Sequence, residues 1–197
     1  MDLPQYIDLD SYSSSPGFLG YTERKADFSE AGINALCDDF IEKMAPYMGE
    51  VTVASSLFIC KSKAELSKDH GIPEEVIERM VSSLEKYDLV KWVDPEKLPP
   101  PELPQFDEEF RKFETKFNEL HTPDAETLKG ILGAYFHAVG VQGHLFIVFH
   151  RAEVIVYPHA DDLGFGFISI NKGCPGDQNK SQNLLRAWGN EVRMSRK

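Results

Sequence analysis

Four of the six histidines, His137, His144, His150 and His159, fall within a short stretch, and Asp161 with Asp162 follows directly. Imidazole nitrogens and carboxylate oxygens are the donors from which zinc and iron sites are built. An extended strand would hold His144 and His150 roughly 20 Å apart at ~3.3 Å per residue, so those two cannot share an ion. His144, His159 and Asp161 converge only if the chain between them folds back as a hairpin in one register. No His-Glu-x-x-His spacing accompanies them. No metal or other cofactor is therefore expected, and these three residues are the candidates should an ion bind.

Nucleophilic chemistry has less support. No serine stands in a Gly-x-Ser-x-Gly elbow, and Cys174, in a Gly-Cys-Pro-Gly loop, has no base beside it in sequence. The most distinctive peptide runs from Pro158 through His159, Asp161, Asp162, Gly164 and Gly166 to Phe167. Its paired carboxylates could hold a basic partner's side chains or close on their own backbone as an Asx turn. A nucleotide-cradling loop is not expected, because no helix opens after these glycines and the Lys-Ser/Thr pair is missing. Gly164 and Gly166 alternate with Phe165 and Phe167, which leaves one face of this strand bare for another chain or layer.

The chain of 197 residues carries a formal charge of −11, and the charge is uneven along it. Up to Pro104 there are 10 Lys+Arg against 20 Asp+Glu, net −10, and beyond it 11 against 12, net −1. Such a first half attracts basic partners and repels nucleic acid and anionic membrane. Cys37, Cys60 and Cys174 are widely spaced with no Cys-x-x-Cys pair, as in proteins of a reducing compartment. The start, Met1-Asp2-Leu3-Pro4-Gln5, has no basic and apolar secretory pattern, and no run approaches the ~18 apolar residues of a membrane span. A cytoplasmic location is expected.

Within the acidic half, Ser62 can cap a short helix that Gly71 ends in a left-handed conformation. Ile72 and Pro73 then open a second helix, whose apolar Val76, Ile77, Met80, Val81, Leu84 and Tyr87 recur at spacings of three and four. Asp88 to Val93 leaves it as an extended run. Short helix, tight glycine turn, longer amphipathic helix and strand is the order of winged-helix domains, and residues 28–93 resemble one. The resemblance implies a fold more than a function. A DNA-reading helix needs Arg, Lys, Asn or Gln on its outer face. Here that face offers Glu74, Glu75, Glu78, Ser82, Glu85 and Asp88 against Arg79 and Lys86, and it would repel a phosphate backbone.

These groups must be positioned by the elements around them. Residues 1–27, with Ser13-Ser14-Ser15-Pro16-Gly17, read as an irregular segment lying across the body. Ala31 to Tyr47 reads as a helix closed by Pro46 and Gly49. The prolines at 95, 99, 100, 101 and 104 favour extended polyproline II, so residues 95–104 are expected to link a winged-helix-like domain (28–94) to an α+β domain (105–197). In the latter, Phe106, Phe110, Phe113, Phe117 and Leu120 form one helical stripe. Thr122 would cap a second helix with Pro123 in its first turn.

Strands are expected at 144–150, 153–158 and 165–170. A two-residue turn at Arg151-Ala152 would set Val148 opposite Ile155 and Phe146 opposite Tyr157. Leu184, Leu185, Trp188 and Val192 form a last amphipathic helix. The expected whole is α+β: a winged-helix-like part, then a helix pair packed on a small, mostly antiparallel sheet with a C-terminal helix.

Size, acidity and the lack of catalytic motifs point to a protein-interaction module more than to an enzyme. Glu74, Glu75, Glu78, Glu85, Asp161 and Asp162 are the expected contacts for a basic protein partner. Its sharpest form is an immunity protein that neutralises a nuclease-type toxin by covering a cationic cleft. A winged-helix, transcription-associated regulator is the first alternative, and a metal-dependent enzyme around His144, His159 and Asp161 the second.

Overall fold

The computed structural model describes residues 2–22, 27–99, 104–161, 163–171, 184–188 and 192–194. The fold is α+β, with helices beside a mostly antiparallel sheet. Two compact units compose it. Unit 1 takes residues 1–53, 121–129 and 146–197, and unit 2 takes 54–120 and 130–145. The proline-rich stretch lies inside unit 2, and each unit draws segments from both sides of it.

Strands β1 (Phe18–Thr22), β2 (Val51–Ser55), β5 (Asn118–His121), β7 (Leu145–Phe149), β8 (Val154–His159), β9 (Gly164–Ser169) and β10 (Val192–Met194) form one sheet in the order β10-β1-β9-β8-β7-β2-β5. The β7–β8 hairpin has the register expected from its short turn, with Val148 opposite Ile155. β9 continues the antiparallel run, placing Gly166 opposite Tyr157 and Gly164 opposite His159. All three strands are buried on both faces save for half-buried His159.

Alternation along the strands explains what covers each face. Phe149, Phe165 and Phe167 point to one side, where Phe40 of α1 (Glu30–Met44) and Trp188 of the helical residues 184–188 meet them. Phe40 lies 4.3 Å from the Phe165 ring. Phe146 and Tyr157 point to the other side, and Tyr12 of the N-terminal segment covers them at 5.6 and 4.3 Å. The bare face of Gly166 is filled by the chain itself. A Cβ there would stand under 3.0 Å from the Tyr157 ring.

Unit 2 contains β3 (Leu57–Ile59), α2 (Lys63–His70), α3 (Glu74–Lys86), β4 (Val90–Trp92), α4 (Pro104–Glu114) and β6 (Val141–Gln142). Ser62 and Glu65 form a capping box at the start of α2, and Gly71 ends it at φ 66°. The stripe on α3 buries Ile77, Val81 and Leu84 completely. β3 pairs in parallel with β4 and antiparallel with β6.

Several elements depart from expectation. The aromatic stripe is not one helix: α4 ends at Glu114, and Asn118 to His121 is strand β5, so Leu120 lies in a strand. α5 (Ala125–His137) is capped by Asp124, whose Oδ1 accepts the Thr127 amide at 2.7 Å, while Thr122 is left-handed at φ 50°. Two cap-forming residues stood close together, and the left-handed turn selects the second. The N-terminal segment supplies β1, paired with β9 and β10. Val192 begins β10 instead of ending a helix. No helix among the described residues is long and apolar enough to cross a membrane.

Candidate functional site

On α3 the apolar stripe faces inward, which turns the acidic side chains out. Glu74, Glu75 and Glu78 are exposed and Glu85 is half-buried. The four are not equivalent. Glu78 accepts Lys63 Nζ of α2 at 2.7 Å, which holds its carboxyl below the ordinary range. Glu85 accepts the Trp92 indole N–H at 2.5 Å, and Lys63 stands 5.7 Å over that indole ring. Glu74 and Glu75 make no hydrogen bond or ion pair among the described residues. They sit in the first turn, where the helix dipole favours negative charge. The outer face of α3 thus presents two uncommitted carboxylates beside two that are tied into the unit.

Asp161 is exposed in the β8–β9 turn of unit 1, and Asp162 lies outside the described residues. His144 belongs to unit 2, whereas His159 and Asp161 belong to unit 1. Among the described residues no three His, Cys, Asp or Glu side chains gather as a metal ion would require. His159 instead packs edge-on against Tyr157 at 4.7 Å, which gives its ring a place on the β8 face. Cys37 is buried and Cys60 half-buried, both as free thiols, while Cys174 lies outside the described residues.

Charge is distributed differently by unit than by sequence half. Unit 1 has 11 Lys+Arg and 17 Asp+Glu, net −6, and unit 2 has 10 and 15, net −5. Both units are acidic because the chain leaves the first and returns to it, mixing the two halves.

One polar cluster has no counterpart in the sequence reading. In unit 1 Thr52 Oγ1 lies 3.1 Å from His121 Nδ1 and 2.9 Å from His150 Nε2. Backbone bonds from Thr122 N to Val51 O and from His150 N to Glu50 O bring these residues to one place. A single hydroxyl proton serves only one of two acceptors, so at least one ring nitrogen must donate to Thr52. Thr52 is only 7% exposed, which fits a structural tie between neighbouring strands.

Compared with models of protein families, with curated proteins and with solved structures, the chain matches none.

Proposed function

We propose that this chain is an acidic protein-interaction module that docks a basic protein through the outer face of α3, in the manner of an immunity protein covering the cationic cleft of a nuclease-type toxin. The observation that carries this reading is the division of labour on α3. Ile77, Val81 and Leu84 of its apolar stripe are taken up by the core, and Glu74 and Glu75 are left uncommitted at the surface beside Glu78. Net charges of −6 and −5 on the two units add a field that steers a basic partner and opposes nucleic acid. Asp161 gives unit 1 an exposed carboxylate of the same kind.

A winged-helix regulator is the second reading. The order α2, Gly71 turn, α3, β4 favours it, and the acidity of α3 opposes it.

The test is affinity capture from native cells at low salt after nuclease treatment, run with the wild-type chain and with Glu74→Lys/Glu75→Lys. One basic protein held in near-equal amount, released by salt and lost from the double variant, is the expected result. Capture indifferent to the charge reversal, or specific retention of a DNA duplex by the purified protein, would overturn it.

A further inference from the structure

We propose that unit 2 carries a cleft for a small amphipathic anion, a phosphate or carboxylate head on a flat apolar body, with Lys91 and Lys116 as its cationic groups. The β3–β4 register sets Lys91 beside Phe58, and Phe113 of α4 stands 5.5 Å from the Phe58 ring. A narrow crevice follows, lined by Ser55, Phe58, Lys91, Phe113, Lys116 and Asn118 among others. Lys91 and Phe113 also line an adjoining cleft of about 460 Å³, together with Trp92, Asp94 and Lys97. That volume falls in the range of small-molecule sites.

The chemistry follows from which lining groups are already engaged. Ser55 Oγ donates to the Leu89 carbonyl, Ser56 Oγ accepts the His144 amide at 3.2 Å, and the Asn118 amide donates to the Asp88 carbonyl at 2.5 Å. Asp94 is 3.4 Å from Lys97 Nζ. Lys91 and Lys116 make no ion pair among the described residues, although the unit around them has a net charge of −5. Two uncommitted ammonium groups, Lys91 where the crevice meets the cleft and Lys116 on the crevice, oppose the trend of the whole surface. Lys91 is half-buried, so an anion paired with it would be partly shielded from water.

Phe113 and Trp92 give the cleft aromatic walls, and the bond from the Trp92 indole to Glu85 fixes one of them before any ligand arrives. Acidity beyond the cleft sets the upper limit on ligand charge. A chain of phosphates would extend into repulsion within a Debye length of ~8 Å, whereas one head group stays beside the lysines.

The test titrates the full chain with phenyl phosphate, adenosine monophosphate and inorganic phosphate, followed by backbone amide NMR shifts and calorimetry. Saturable shifts centred on Lys91 to Lys97 are expected with both organic phosphates, and roughly tenfold weaker binding of inorganic phosphate. Lys91→Gln and Lys116→Gln should each weaken phenyl phosphate binding roughly tenfold. Lys68→Gln, on α2 outside the cleft, should leave it unchanged. Folding of the variants is checked by circular dichroism. Absence of saturable shifts at millimolar probe, or binding undiminished in the Lys91→Gln/Lys116→Gln double variant, would overturn the proposal. Equal affinity for inorganic and phenyl phosphate would overturn the assignment of a flat apolar body.

Discussion

Gly166→Ala tests the packing of the sheet face under the N-terminal segment. The backbone at Gly166 is not in the left-handed region, so an alanine there meets no conformational strain. Its Cβ would instead lie under 3.0 Å from Cζ, Cε1 and the hydroxyl oxygen of Tyr157. Tyr157 cannot swing aside freely: it is 2% exposed, with Tyr12 at 4.3 Å and His159 at 4.7 Å. Overpacking of this kind costs about 1–3 kcal/mol. For a chain of this length that is a fall in Tm of roughly 2–12 °C.

The sign should reverse when the ring is removed. In a Tyr157→Val background the clash is gone, and Gly→Ala then contributes about 0.4–1 kcal/mol by narrowing the unfolded ensemble. Urea denaturation of wild type, both single variants and the double variant gives the coupling, expected at about 1.4–4 kcal/mol. Equal destabilisation by Gly166→Ala in both backgrounds would refute the reasoning.

Two further predictions concern buried chemistry. Burial pushes the Cys37 thiol from 9.0 up to about 12, with Lys129 acting weakly the other way. Folded chains therefore keep a proton that unfolded chains lose. This contribution to stability is intact below pH 9 and falls by about 1.4 kcal/mol per pH unit from there toward pH 12. Cys37→Ala should remove that slope in denaturation curves taken between pH 8 and 11, and native Cys37 should resist iodoacetamide until the chain unfolds. At Thr52, nitrogen-15 NMR should find a proton on His121 Nδ1, on His150 Nε2 or on both, and two bare nitrogens would contradict the shared hydroxyl.

What the sequence made legible was local. The β7–β8 register could be read because apolar runs flank a two-residue turn, and a hairpin turn sets its own register. The capping box at Ser62 and the left-handed Gly71 were legible for the same reason: every partner lies within a few residues. β1 was not, because Phe18 to Thr22 becomes a strand through pairing with residues 164–169 and 192–194. β5 was masked by Phe117 and Leu120, which continue a helical spacing past the end of α4.

The candidate site divides in the same way. The acidic face of α3 is a property of one helix and reads directly from it. The cluster of Thr52, His121 and His150 joins residues far apart in sequence, and only backbone pairing assembles it. Counting charge by sequence half exaggerated its asymmetry, because unit 1 is assembled from three separate segments.

That interrupted assembly has a consequence for synthesis on the ribosome. β1 finds its partner β9 only after roughly 140 further residues have been made, which at 5–20 residues per second is on the order of 7–30 s. Phe18 lacks its β9 partner throughout that interval and Tyr12 lacks its ring contacts until Phe146 and Tyr157 are made, while residues 54–120 of unit 2 emerge as one continuous stretch. The nascent chain therefore exposes an unpaired N-terminal strand while its middle can already begin to fold, the period in which a chaperone would most affect its yield.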